Sequence, residues 1–312
     1  MTGNRLLLHS VFLFLLPVIV AWFGISVGGA IALVLLVLLW RWLISLSTLV
    51  APARIPRLEL VTISASHFSE KARWCLDRLG VDYAEKPAGG TLNAFFLGRS
   101  VPLLRMHTGT VRSSIGNSAE ILRYLWGRYA VEFGDRAAFL EPTAERLEFE
   151  RKLDRIGVNL QVWVYYHILP DRELTLHAWG VDNKVIPAWQ RLALIILFPL
   201  QRLLMRKSFR ITPNHHDKAV EHIEALLAEV EESLADGRKS ILGGDTTNYT
   251  DITYSALLAL AVLPVEFGAG KADSVRIALE DCPAPMRHEI ESWRARYPRA
   301  TGFIDNLYRE ER

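Results

Sequence analysis

The sequence predicts an α+β domain followed by an all-helical domain, with an N-terminal transmembrane helical hairpin ahead of both. Three observations carry this: a long apolar opening free of charge, alternating strand and helix patterns between about 57 and 130, and the loss of strand patterns beyond about 140. The 312 residues allow about two domains of ordinary size. At 50% hydrophobic and 22% charged residues, a disordered chain is excluded. A net charge of +2 is too mild for a nucleic-acid-binding domain, so no nucleic-acid partner is expected. Cys75 and Cys282 form no CxxC pair and no Cys/His ligand spacing, which argues against a disulfide scaffold and a structural zinc site and fits a reducing compartment.

The anchor is assigned to 1–54. No Asp, Glu, Lys or Arg occurs between Arg5 and Arg41. A span needs about 20 apolar residues, so this stretch suits one generous pass or two short ones folded back at Gly24, Gly28 and Gly29. The hairpin is favoured, from Leu6 to Trp22 and from Ile25 to Trp40, with Trp22, Trp40 and Trp42 at interfacial depth. Arg5, Arg41, Arg54 and Arg57 lie outside its ends and no acid precedes Glu59, which places both ends, and the domains that follow, on the cytoplasmic side. A cleaved signal peptide is the competing reading, but its apolar core is only about 7–15 residues.

From 57 to 130 the elements alternate. Leu58–Ile63 reads as a strand, Ser64-Ala65-Ser66 as a turn, and His67–Leu79 as a helix with Phe68, Ala72, Cys75, Leu76 and Leu79 on one face. Gly80 stands where a left-handed cap is expected. Val81–Lys86 is a second strand. Val101-Pro102-Leu103-Leu104 opens a third, the Thr108-Gly109 turn leads to a short fourth, and Asn117-Ser118 opens a helix to about Tyr129. This order, βαβ then ββα, is that of a thioredoxin-like domain.

These residues also carry a resemblance. Ser66-His67-Phe68-Ser69-Glu70-Lys71-Ala72-Arg73 resembles the active-site turn and first helix of glutathione transferases, Val101-Pro102 the family's cis-proline step, and Asn117-Ser118 its γ-glutamyl-binding pair. The resemblance implies glutathione as co-substrate, no metal, a homodimer, and Ser66 as the group that stabilises the thiolate. Ser66 takes the serine of the zeta class rather than the cysteine of the omega class, which implies a conjugating or isomerising enzyme and speaks against a glutathione-dependent reductase. His67, Arg99, Val101, Pro102, Asn117 and Ser118 are the expected glutathione contacts, Arg99 by position alone.

Physical chemistry points the same way. A thiol with a pKa near 8.5 is mostly protonated at neutral pH, and a hydroxyl donor at a helix N-terminus favours the anion. Ser66 occupies that place, and simple N-capping is the plainer reading of it. Asn117 and Ser118 open a helix, where N–H groups suit a carboxylate, and here too capping alone is the plainer account. Cys75 sits on the apolar face of its helix and reads as a core residue rather than a nucleophile.

The helical domain is assigned to 140–312, with long helices from Ala144 to about His167 and from Asp217 to Ala235. Asn248 with Asp251 reads as a capping box, resembling the one in the helical domain of glutathione transferases; Asp251 is therefore structural. Trp163, Tyr165 and Tyr166 are conspicuous aromatics, and Trp163 and Tyr166 are the candidates for the second-substrate pocket, with core packing the alternative. A basic and apolar insertion near 170–213 contains Lys184, Arg191, Arg202, Arg206, Lys207 and Arg210 around the apolar block Leu192–Leu200. It reads either as a helix on an anionic membrane surface or as a cover for the core or a dimer contact. His215, His216 and His222 lack helical ligand spacing and read as a surface cluster rather than a metal site.

The expected function is a membrane-anchored glutathione transferase whose thiolate attacks a small apolar electrophile concentrated in the lipid bilayer, a chemistry suited to detoxification. The alternative is a catalytically silent scaffold of the same fold. His67, where the family often has proline, and Asn117, where it often has an acid or glutamine, keep that alternative open.

Overall fold

The computed structural model describes residues 19, 26–50, 56–89, 101–108 and 111–312. Arg99 and, apart from Ile19, the expected first membrane pass lie outside the described residues. The second pass falls on helix α1, Val27–Val50. Its side chains are largely exposed, with Leu35, Leu36, Trp40 and Trp42 all at 60% or more. Among the described residues no single helix is long and apolar enough to cross a membrane. The apolar stretch Val27–Leu43 falls short of the roughly 20 residues a pass requires, so the described residues do not support the expected hairpin.

Four strands follow the predicted order: β1 (Arg57–Thr62), β2 (Tyr83–Pro87), β3 (Leu103–Thr108) and β4 (Val111–Gly116), arranged β2-β1-β3-β4. β1 is buried from Leu58 through Thr62, as a central strand covered on both faces should be. β3 alternates instead, with Leu104 and Met106 buried.

Helix α2 spans His67–Leu79, the predicted range, and closes at Gly80, whose φ of 69° is the left-handed cap. Its apolar face is buried as expected, apart from the half-buried Phe68. Glu70, Lys71 and Arg73 are buried too, and each is paired. Lys71 reaches Glu150 at 2.7 Å and Asp154 at 3.3 Å; Arg73 pairs with Glu70 and, at 2.7 Å, with Glu85. Glu70 also pairs with Arg312 at 2.7 Å. Such pairs tie α2 to distant segments, because a buried charge stripped of its partner is strongly destabilising.

Helix α3 covers Ser118–Phe133 and leads through a 3-10 turn, Gly134–Leu140, into the all-helical part. There α4 is Ala144–Ile168, α5 Arg172–Ala178, α6 Ala188–Ile196, α7 Phe198–Ser208, α8 Pro213–Ser233, α9 Tyr249–Val262, α10 Ala284–Arg296 and α11 Pro298–Glu311. α8 starts before the expected Asp217 because Thr212 caps it, accepting from the His215 N–H at 3.3 Å, with Pro213 in the first turn. α9 is the hub, buried along almost its whole length and packed on α2, α4 and α11.

The insertion forms α5, α6 and α7. α6 and α7 meet at a 73° bend. Pro199 accounts for it: proline lacks the N–H that would bond the carbonyl four residues back, and that carbonyl, of Ile195, instead accepts from Arg172 at 3.5 Å. Leu194, Phe198, Gln201 and Met205 face inward, while Trp189, Leu192, Ile196 and Leu203 stay at least half exposed. Both readings of this segment thus find a face: one covers the core, the other presents apolar side chains outward.

By contacts the chain divides into two compact units, Met1–Glu59 with Leu104–Ile115, and Leu60–Leu103 with Gly116–Arg312. The expected boundary near 130–140 does not separate units, because α2 packs directly on α9 within the second. In the first unit Arg105 pairs with Glu59 at 2.6 Å. The cavity described next lies wholly in the second.

Candidate active site

The turn after β1 is closed by the Ser66 N–H donating to the Ile63 carbonyl at 2.9 Å. Ser66 then caps α2: its Oγ accepts from the Ser69 N–H at 3.3 Å. The capping reading is therefore realised, and it is compatible with chemistry. Only a lone pair of the hydroxyl is used, so its proton is free to be donated to an anion placed at the helix N-terminus. The turn is held from outside by Asn183 Nδ2, which donates to Ser64 Oγ at 3.3 Å.

Ser66, His67 and Val101 line a cavity of about 320 Å3. The Val101–Pro102 bond is cis. One wall is α4, through Gln161, Val164, Tyr165 and Ile168, spaced i, i+3, i+4, i+7 as one helix face requires. Trp179, Met205 and Phe209 come from the insertion, Leu260 and Leu263 from the end of α9, and Arg276 brings a cation. Arg276 donates to the Val265 carbonyl at 2.8 Å. Burial raises the Tyr165 pKa, so the phenol stays protonated.

His67 is buried, and its Nε2 lies 3.1 Å from the Gly157 carbonyl. A carbonyl only accepts, so Nε2 carries the proton and donates. Gly157 permits this approach: a Cβ there would come within 2.5 Å of the Phe68 ring. Burial lowers the His67 pKa to about 4, outweighing the opposite effect of the bond to Gly157, and the ring is a neutral positioning group rather than a cation for the ligand. An unfolded chain protonates His67 near 6.5 and the folded one only near 4, so this stability is complete above pH 6.5 and lost as pH falls toward 4. Between pH 7 and pH 5 the loss should be about 2 kcal/mol. Denaturation of the parent and of His67→Gln, which keeps a donor and does not titrate, checks this; equal pH slopes would refute it.

The other expected site residues are placed differently. Asn117 caps α3 with a φ of 71° and accepts from the Ala119 N–H at 3.1 Å. Ser118 is buried and its Oγ has no hydrogen-bond partner among the described residues. Neither lines the cavity, nor does Pro102. Trp163 and Tyr166 lie off the cavity face of α4, a correction to their expected role. Trp163 is fully buried against Trp293 and donates to Glu289, and Tyr166 stacks on His216 with centroids 4.1 Å apart. Tyr165, between them, is the aromatic that reaches the cavity. The i, i+3, i+4 pattern around it was available as a signal, whereas nothing in sequence singles out Arg276.

Cys75 is fully buried, and burial pushes its thiol up to about 12, which leaves it no role as a nucleophile. The histidines separate. His215 bonds the Thr212 hydroxyl and His222 bonds Asn159, both exposed, but His216 turns inward. The surface-cluster reading is thus wrong for His216.

No protein-family model matches the chain, and no curated protein matches it. Among solved structures it is similar to a glutathione S-transferase from Methylobacterium radiotolerans in complex with glutathione sulfonate, at 17% identity, covering 81% of this chain and 91% of that one, with a TM-score of 0.47. A glutathione S-transferase from Methylobacillus flagellatus with glutathione bound is similar at 14% identity, over 80% and 93% of the two chains, with a TM-score of 0.45. One from Ceriporiopsis subvermispora in complex with glutathione is similar at 16% identity, over 78% and 97%, with a TM-score of 0.44.

Proposed function

We propose that the protein is a membrane-attached glutathione transferase that holds glutathione as the thiolate and directs it at a small apolar electrophile. The observation that carries this is Ser66: a hydroxyl with a free proton, at the N-terminus of α2, on the wall of a largely apolar cavity. In this reading Ser66 donates to the glutathione sulfur, and Val101 offers its backbone to the cysteinyl part. Ser118, with its unpaired buried hydroxyl, receives the γ-glutamyl end at the start of α3 beside Asn117. Arg276 is the counter-charge within reach of the cavity. Tyr165, Trp179 and Phe209 form the apolar seat of the electrophile, in place of Trp163 and Tyr166.

A scaffold without chemistry is favoured by one observation, that Asn117 spends its side chain on its own helix and lines no part of the cavity. Calorimetry of glutathione against the full chain in detergent, followed by conjugation of a generic aromatic electrophile, separates the two. Binding in the micromolar to low millimolar range with turnover supports the transferase, whereas binding without turnover, or no binding by the folded protein, refutes it and leaves the scaffold.

Attachment to a bilayer draws support from the exposed apolar side chains of α1 and from the outward Trp189, Leu192, Ile196 and Leu203 beside Arg206 and Lys207. The basic residues flanking the opening segment put the glutathione site on the cytoplasmic side, and the resemblance implies a homodimer. Expressed in bacteria, the chain should sediment with membranes and resist extraction by high salt while yielding to detergent. Recovery in the supernatant after salt washing would overturn the apolar anchor.

A further inference from the structure

We propose that His167, His216 and Glu289 form a binding site for a divalent first-row metal ion, zinc above all. The three come from α4, α8 and α10, and their ligand atoms all lie within 4.8 Å of one another. His167 Nε2 is 3.2 Å from His216 Nε2 and 3.2 Å from Glu289 Oε2; His216 Nε2 is 3.7 Å from Glu289 Oε1. Zinc bonds of about 2.0–2.1 Å give tetrahedral ligand–ligand edges of roughly 3.3–3.4 Å. Octahedral sites give edges shorter by several tenths; the two 3.2 Å separations from His167 Nε2 lie near the tetrahedral edge, and the 3.7 Å one, to the other carboxylate oxygen, lies a few tenths beyond it, so the trio suits a tetrahedral ion with one position left open.

Protons favour the same reading. His216 Nδ1 lies 3.2 Å from the Asp217 carboxylate, so it carries the proton and leaves the Nε2 lone pair facing His167 and Glu289. Glu289 is oriented by Trp163, whose Nε1 donates to Oε2, and its carboxylate faces both histidines. Without an ion, one proton on His167 Nε2 must serve two acceptors. A divalent cation satisfies all three lone pairs together. A carboxylate on the distal nitrogen of a histidine ligand and a donor on the carboxylate are the supports such ligands use, and here Asp217 and Trp163 supply them. Tyr166 stacks on His216 and fixes its ring. A separate cavity of about 520 Å3, which His167 lines, gives room for an entering ion and its water.

The test uses the full chain in detergent, treated with chelator and titrated with Co2+, with Zn2+ then displacing it. We expect one equivalent of Co2+ giving the visible absorption of a tetrahedral site, lost in His216→Ala and displaced by Zn2+. Glu289→Gln keeps its hydrogen-bonding shape, so it remains folded, and it should weaken binding; Asp217→Ala should weaken it about 10–100-fold. The double variant His215→Ala/His222→Ala should bind as the parent does. No stoichiometric binding by the parent, or binding unchanged in both His216→Ala and Glu289→Gln, or binding lost in the double variant, would overturn the site.

Discussion

Replacing Ser66 by alanine lowers glutathione conjugation at pH 7 by about 10²–10³, the cost of removing one well-placed donor from a developing or bound anion. On the proposed reading glutathione is held by its two ends while Ser66 touches only the sulfur, so the loss should fall on rate rather than affinity. Its signature is a pH profile. With the hydroxyl present the thiolate should form below the ordinary thiol range; without it the rate limb should move up by about 1–2 units, and activity should partly return in alkaline buffer. Alanine also removes the cap that accepts the Ser69 N–H, at about 1 kcal/mol of stability. Ser66→Gly separates the two effects, since glycine in a cap position costs only a few tenths while lacking the hydroxyl. Both variants should lose rate alike and differ in stability. An unshifted profile with full turnover in either would remove Ser66 from the chemistry.

What could be read from sequence follows from the range over which the physics acts. The bounds of α2 were legible because cap, periodicity and terminating glycine all lie within one short segment, Ser66 to Gly80. The burial of Lys71 and Arg73 was not, because their partners Glu150 and Glu85 are remote in sequence and a charged residue reads as solvated until its partner is known. The metal-like trio is the extreme case. His167, His216 and Glu289 share no spacing, and His215, adjacent to His216, made the pair look like surface decoration.

The cavity gathers some of the expected residues and leaves others out. Ser66, His67 and Val101 line one cavity, and they came from a motif with local geometry. Trp163 and Tyr166 stand out in the sequence by size alone, and size does not determine which face of α4 meets the cavity. Gln161, Val164, Tyr165 and Ile168 repeat at helical spacing, but Val162, Trp163 and His167 mark an equally apolar opposite face. Two apolar stripes on one helix are ambiguous until the neighbours are known. Here α8 and α10 take one stripe and leave the other to the cavity.

The second large effect belongs to Asp251, which lines neither of the two cavities described above. Its Oδ2 accepts from the Asn248 N–H and its Oδ1 from the Ile241 N–H, both at 2.8 Å, while the Asn248 side chain accepts from the Thr250 N–H at 2.9 Å and, completing the box, from the Asp251 N–H. Asp251→Ala leaves two buried N–H groups without acceptors, at about 1–3 kcal/mol each, and removes the reciprocal half of the capping box from the helix on which α2, α4 and α11 pack. The expected loss is about 3–5 kcal/mol, a large part of the 5–15 kcal/mol that holds a typical domain together. Asp251→Asn should fall between, because its amide presents one oxygen to the two N–H groups and turns a donor on the other. Folded yield and melting temperature should drop in that order, while glutathione turnover per folded molecule stays near the parent's. Ser66→Gly is the mirror image, losing rate with little loss of stability. A stable Asp251→Ala protein would mean that α9 is held by its apolar packing alone, with the buried box contributing nothing measurable.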